Sequence, residues 1–260
     1  MMLLYRLGPE GFFAAGEPGE PSARLLYSDP FAELAGSWRL GGPVELATAS
    51  LLPPVLPGKI VGIGRNYRDH AREMNNPVPT EPLLFLKSPS SLAGPNTPVV
   101  LPPESERVEY EGEIAVVLRG GLRRASAAEA RSAVLGVTCA CDVTARDLQG
   151  RDATFARAKS FDTFCPLGPA IWVGADLEEL AVVTRVNGAE RQRGHVRDMV
   201  FPIAELLTYT SRMMTLEPRD VLLTGTPAGV GPLAGGDQIE VEIPGLGVLR
   251  NPVEAWQPQG

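Results

Sequence analysis

The sequence predicts a mostly β fold of the α+β class, with antiparallel and mixed sheet outweighing helix. Three observations carry this. Short apolar runs recur along the whole chain, punctuated by turns that draw on 28 glycines and 25 prolines. Helical periodicity is confined to a few short stretches. Strands and helices do not alternate as a doubly wound βαβ sheet requires.

Taken in order, residues 2–7, 24–27 and 44–46 are strand-like pieces between Gly and Pro turns. The segment LLPPVLPG at 51–58 has three prolines and a glycine in eight residues and reads as a linker. The chain thus divides into a small N-terminal appendage with its Pro-rich linker, 1–57, and a larger domain over 58–260. The roughly fifty residues before the linker are too small a piece to fold alone. In the larger domain, 59–63 and 83–87 are apolar strands, and 67–74 is a short polar helix. Residues 109–118 form a strand that opens on alternating carboxylates. A helix follows over 125–132, where Ser126 and Glu129 have capping-box spacing. Strands over 134–142 and 170–173 come next. Then 181–186 and 189–193 flank Asn187-Gly188, the strongest hairpin signal in the chain. An amphipathic helix spans 202–214, and strands at 221–224, 238–243 and 247–253 close the domain, the last two joined by a Pro244-Gly245 turn.

Composition narrows the function. At 260 residues, 44% hydrophobic and 21% charged, the chain is globular rather than disordered or coiled. No apolar run reaches the roughly 18 residues of a membrane helix. No basic residue precedes the first apolar stretch, so no signal peptide is read and a cytoplasmic protein is expected. A net charge of −7 argues against a nucleic-acid partner. Cys139, Cys141 and Cys165 are too few for a disulfide framework and lack the further ligands of a zinc site, so they read as buried thiols. Only three lysines and two histidines occur, against 21 arginines, so each proton-transfer candidate can be weighed singly.

In EYEGEIAVVL, Glu111 and Glu113 are two apart, and a strand points both to one face. The apolar run after them enters the core, so their charges need a neutralising partner. A hard divalent cation with oxygen ligands is one, and a solvated strand end with Glu109 in the same row is the alternative. Asp142 ends the 134–142 strand, either as a turn-former or as a third carboxylate for the same ion. His70 and Glu73 are neighbours on a helix at i and i+3, either a general-base dyad or an ordinary polar helix face. Lys159 and Lys87 lie in apolar or small-residue settings where an ammonium could hold an anion, in a chain that otherwise uses arginine for its surface cations. GIGRN and GTPAGVG lack the full dinucleotide and P-loop patterns, although the second could present Thr226 to a small ligand.

Seven segments, GIGRNYRDHAREM, PLLFLKSPSSL, YEGEIAVV, CDVTARDLQ, AKSFDTFCPLGP, VNGAERQ and LLTGTPAGVG, occur in this order between about residues 59 and 253. Together they resemble the fumarylacetoacetate hydrolase superfamily. The resemblance implies a β-sandwich roll, usually a homodimer, with magnesium or manganese held by Glu111, Glu113 and Asp142. It implies a catalytic His70–Glu73 dyad on a lid-forming segment, with Lys159 as the active-site lysine. Arg146, Gln149, Thr226 and, more loosely, Lys87 match substrate-site positions. His195 departs from the family pattern and is read as non-catalytic.

The implied substrates are 2-oxo or enol (di)carboxylates, handled through a metal-bound enolate. Two net reactions are weighted evenly: isomerisation of a 2-hydroxyhepta-2,4-diene-1,7-dioate, as in aromatic catabolism, and C–C hydrolysis of an acylpyruvate. Oxaloacetate decarboxylation, or a non-catalytic member of the fold, is the alternative.

Overall fold

The computed structural model describes residues 1–258. Its backbone is an eleven-stranded sheet. From one edge the strands run Leu40–Glu45, Ser22–Leu26, Phe12–Gly16, Met2–Leu7, Cys165–Val173, Val134–Cys141, Gly112–Leu118, Val221–Leu223, Ile60–Gly64 and Leu83–Lys87, with Leu92–Ala93 pairing beside Cys165–Val173. Neighbours along this path are antiparallel except Val221–Leu223 with Ile60–Gly64. A five-stranded sheet is ordered Ala189–His195, Ala181–Val186, Gln238–Ile243, Gly247–Ala255 and Val99–Leu101. A three-stranded sheet joins Thr144–Ala145, Val108–Tyr110 and Gly231–Pro232.

The central strand explains the layering. Every residue of Gly112–Leu118 is buried. Ile114, Val116 and Leu118 join one apolar cluster with Val182, Val241, Leu206 and Leu207, so they face the five-stranded sheet and the Ile203–Met213 helix. Ala115 and Val117 join a second cluster with Leu4, Phe31, Trp38 and Val55 on the opposite face. A strand covered on both sides has no polar face to show, and from Ile114 to Leu118 its sequence is therefore an unbroken apolar run. Burying a side chain of this kind contributes roughly 1.5–3 kcal/mol.

The N-terminal strands do not stand apart. Met2–Leu7 pairs with Cys165–Val173 and extends the main sheet, while Phe31 and Trp38 cover its second face. The predicted strands at 83–87 and 181–186 and the Ser126–Glu129 capping box are found as expected.

Four differences from expectation matter. The 109–118 strand is interrupted at Glu111, leaving Val108–Tyr110 and Gly112–Leu118 in separate sheets. The strand expected from 170 begins at Cys165 despite Pro166 and Pro169. Its pairing shifts register between Val137 and Cys139, and the missing amide of Pro169 falls in that irregularity. The helices Arg146–Arg151 and Ala156–Lys159 were not expected, being too short to show a helical period. Nor was the strand Phe12–Gly16, which carries three small residues in five. No helix among the described residues is long and apolar enough to cross a membrane.

Candidate active site

Antiparallel pairing builds the acidic cluster. Gly112 lies opposite Cys141, so Glu111 and Asp142 flank each other across the strands, and the Asp142 amide donates to the Glu111 carbonyl at 2.7 Å. Ala115 pairs with Leu223 on the other side, which carries the turn after Val221–Leu223 to Glu113. There the Gly225 amide donates to Glu113 Oε2 at 2.7 Å. The glycine between the two glutamates has a steric reason. A Cβ on Gly112 would lie 1.8 Å from Thr184 Oγ1 of the five-stranded sheet. Only glycine lets the sheets approach this closely between two carboxylates.

Glu111, Glu113 and Asp142 each offer a carboxylate oxygen within 4.8 Å of the others, and all three are buried. The cations around them are specific. Lys159 Nζ donates to Glu111 Oε2 at 2.7 Å and to Asp142 Oδ2 at 2.6 Å. It also sits 4.9 Å from the centre of the Phe85 ring. Arg146 donates from Nη2 to Glu111 Oε1 at 2.5 Å, from Nε to Glu109 Oε2 at 2.6 Å and from Nη1 to Gln149 Oε1 at 2.6 Å. Glu109 is therefore not a solvated strand end: it is 2% exposed and ties Arg146 and Arg107 together.

Lys87 departs from its expected place at the substrate. It does not line the cavity described below. Its ammonium lies behind the cluster, donating to Asp142 Oδ1 at 2.8 Å and to the carbonyls of Val143 and Lys159. It sits two residues beyond Phe85 along the Leu83–Lys87 strand, and the strand carries it past the cavity wall.

These contacts set the acidities. Burial alone pushes the Glu111 carboxyl up, but Lys159, Arg146 and His70 more than offset it and hold the group well below the usual carboxylate range. Burial likewise pushes the Lys159 ammonium down, and the charges of Asp142 and Glu111 reverse this. Glu113 is different. Burial, then the negative charges of Asp142 and Glu111, push it well above its ordinary value, and no ion pair forms to it among the described residues. A buried carboxylate without a counter-charge is costly. Three hard oxygen donors converging there fit a small divalent cation of the magnesium or manganese kind.

A cavity of about 380 Å³ opens beside the cluster. Glu111, Glu113, Lys159, Arg146, Gln149 and Thr226 line it, His70 faces the same space, and Phe85, Phe155 and Ile63 supply apolar wall. Thr226 Oγ1 donates to the Gly112 carbonyl at 2.9 Å and accepts from Gln192 Nε2 at 2.7 Å, which pins its turn against the glutamate strand.

His70 lies in the Arg68–Glu73 helix and is 6% exposed. Its Nδ1 stands 3.3 Å from Glu73 Oε2. The Gly229 amide in turn donates to both Glu73 oxygens at 3.0 and 3.1 Å. With Nδ1–H given to Glu73, Nε2 is left as the acceptor.

The remaining candidates fall outside. His195 accepts from the Arg197 amide and caps the Val196–Asp198 turn. Lys59 pairs with Asp220 at 2.5 Å. Cys139, Cys141 and Cys165 are free and buried, and burial pushes each thiol up to about 12, so none is a nucleophile. Sequence reasoning missed Gln192, Phe155 and Arg65, which line or brace the cavity. Gln192 and Arg65 lie within two of the quoted motifs, and nothing marked Phe155.

The family model described as fumarylacetoacetate (FAA) hydrolase C-terminal matches residues 59–254. A solved 5-carboxymethyl-2-hydroxymuconate delta-isomerase from Mycobacterium smegmatis is 38% identical. It superposes with a TM-score of 0.88 over 98% of this chain and 100% of that one. A 2-hydroxyhepta-2,4-diene-1,7-dioate isomerase from Mycobacterium marinum is 39% identical, with a TM-score of 0.89 over 99% of this chain and 100% of that one. The mitochondrial oxaloacetate tautomerase FAHD2A of Bos taurus is 45% identical over 215 residues, 78% of this chain and 68% of the relative.

Proposed function

This chain belongs to the fumarylacetoacetate hydrolase family, and from that premise we propose that it is a divalent-metal-dependent enzyme moving a proton at the carbon beside a 2-oxo group. The substrates are 2-oxo or enol (di)carboxylates, and the net reaction is tautomerisation or isomerisation. One observation carries the reading: a buried carboxylate–lysine cluster and the His70–Glu73 pair face one cavity. Charge stabilisation and proton transfer then act on adjacent atoms of one small molecule. The relatives named for isomerisation and tautomerisation carry out this class of chemistry.

Glu111, Glu113 and Asp142 would hold the metal, magnesium or manganese. When bound, the ion supplies a Lewis-acid charge for the 2-oxo carboxylate end of the substrate. Lys159, kept protonated by Glu111 and Asp142, adds a fixed positive charge where the 2-oxygen becomes negative. His70 Nε2 takes the proton from C3 and returns it to the product. Glu73, anchored by the Gly229 amide, holds the imidazole in the accepting tautomer. Arg146 and Gln149 shape the polar wall, Thr226 positions the turn beside Glu113, and Phe85 and Phe155 exclude water from the carbon acid. A homodimer and a place in aromatic catabolism rest on the family resemblance alone.

C–C hydrolysis of acylpyruvates is the second reading. The observation behind it is the same dyad, which could instead activate water for attack on a 4-oxo carbon. A panel of acetylpyruvate, oxaloacetate and a 2-hydroxydienedioate, assayed with magnesium and with manganese, separates the readings. Enol-to-keto or double-bond shift with the carbon skeleton intact supports proton transfer. Release of pyruvate and a carboxylic acid supports hydrolysis, and release of carbon dioxide supports decarboxylation. Rates at the uncatalysed level for every substrate and both metals would refute enzymatic activity of this class.

A further inference from the structure

Arg65 also lines the cavity, half-buried, and its guanidinium has no ion-pair or hydrogen-bond partner among the described residues. The other cavity cations are committed. Arg146 spends Nε, Nη1 and Nη2 on Glu109, Gln149 and Glu111, and Lys159 spends its charge on Glu111 and Asp142. Arg65 alone brings a positive charge to this space with nothing yet to receive it.

Its placement is enforced. Arg65 has a φ of 59°, in the left-handed region that a non-glycine residue seldom occupies. The next residue locks the turn. Asn66, fully buried, donates from Nδ2 to the carbonyls of Thr224 and Phe201 at 2.8 and 3.1 Å and accepts the Phe201 amide at 2.9 Å. A Cβ on Gly225 would approach the Asn66 Cβ to 2.8 Å, so this turn and the one that reaches Glu113 pack directly together. Strained backbone over-determined by its surroundings, with the side chain at a cavity, marks a functional position.

We propose that Arg65 is a specificity-determining residue that binds the second carboxylate of a dicarboxylate substrate. This rests on the proposed function, which assigns the 2-oxo carboxylate end to the acidic cluster. The guanidinium fork matches a carboxylate bidentately, and a part-buried cation with no internal partner offers its full charge to a ligand. The substrate class is thereby narrowed to 2-oxo or enol dicarboxylates, with monocarboxylic acylpyruvates disfavoured.

The test compares wild type with Arg65→Asn, which accepts a left-handed backbone, and with Arg65→Lys. Oxaloacetate, a dicarboxylate, is set against acetylpyruvate, which ends in a methyl ketone. Arg65→Asn should raise KM for oxaloacetate roughly 10- to 100-fold, the range of one charge-assisted contact, and leave acetylpyruvate unchanged. Arg65→Lys should fall between. An equal loss on both substrates would overturn the proposal, because Arg65 would then serve what they share.

Binding judges the residue independently of turnover. In magnesium-loaded wild type, succinate should bind tighter than butyrate by a similar factor, and Arg65→Asn should lose that preference. Equal affinities in wild type, or no saturable succinate binding, would overturn the assignment even where turnover is seen. Preserved discrimination in a protein that turns over neither substrate would fault the proposed reaction and leave Arg65 standing.

Discussion

Lys87→Met tests whether this lysine braces Asp142 or touches substrate. Both side chains of the Lys87–Asp142 pair are essentially inaccessible, at 0% and 1% exposure. Removing one partner of a buried pair costs about 3–5 kcal/mol, because the other charge is left without compensation. The carbonyls of Val143 and Lys159 also lose a donor, while Lys159 continues to hold Asp142 Oδ2 and tempers the loss. A net cost of about 3–5 kcal/mol corresponds to a Tm lower by roughly 6–20 °C, at about 2–4 °C per kcal/mol for a chain near this size. Thermal melts in chelator keep ligand binding out of the comparison. Arg250→Met is the control. Arg250 is 56% exposed and pairs with Glu240 at 2.7 Å on the surface of the five-stranded sheet, so a cost below about 1 kcal/mol is expected from the lost ion pair. Equal, small shifts in the two variants would refute the bracing role. An unchanged Tm with a raised KM would return Lys87 to the substrate.

Two further substitutions probe the two walls of the cavity. His70→Ala should lower turnover by about 10²–10⁴-fold, the usual worth of a general base, and leave manganese binding by equilibrium dialysis intact. Unchanged turnover would remove the dyad from the mechanism. Glu113→Gln should flatten the pH dependence of stability in chelator. A carboxyl raised in the folded state contributes stability below its unfolded value and loses it as pH rises through the folded one. Wild type should therefore weaken above the ordinary glutamate range while Glu113→Gln does not, and magnesium should restore wild type alone. Glu111, held low, acts in the opposite sense, with its contribution lost only as pH falls below the ordinary value. Identical wild-type and Glu113→Gln profiles would show that Glu113 is not the uncompensated charge.

The local half of this molecule was legible because its signals are local. A capping box needs only Ser126 and Glu129, a hairpin only Asn187-Gly188, and strand alternation alone puts Glu111 and Glu113 on one face. The pieces that failed depend on distant chain. Glu109 could not be told from a solvated residue without Arg146, which lies 37 residues on. Lys87 could not be separated from a substrate ligand without Asp142, 55 residues away. Pro166 and Pro169 looked like a barrier to a strand because nothing local reveals the pairing irregularity that takes up the missing amide. The division at the linker captured the change in composition, yet it carried no sign that Met2–Leu7 would pair with Cys165–Val173.

Charge matching within the cavity shows what the protein lacks on its own. Glu111 is answered by Lys159 and Arg146, and Asp142 by Lys159 and Lys87. Among the described cavity-lining residues, two ionisable groups remain unanswered: Glu113 lacks a cation, and Arg65 lacks an anion. They sit on adjacent turns, because Asn66, next to Arg65, packs on Gly225, whose amide holds Glu113. A divalent cation completes the first and an acidic substrate group the second. A buried carboxyl pushed towards its neutral form and a half-buried guanidinium without an anion, on turns packed directly together, are the residues of a site built to be completed by its ligands. Substituting both together tests this. If Glu113 and Arg65 act through separate ligands, the Glu113→Gln loss in metal binding and the Arg65→Asn loss in succinate preference should appear independently in the double variant. Restoration of either property by the other substitution would mean that the two groups neutralise each other, and that no ligand is needed to explain them.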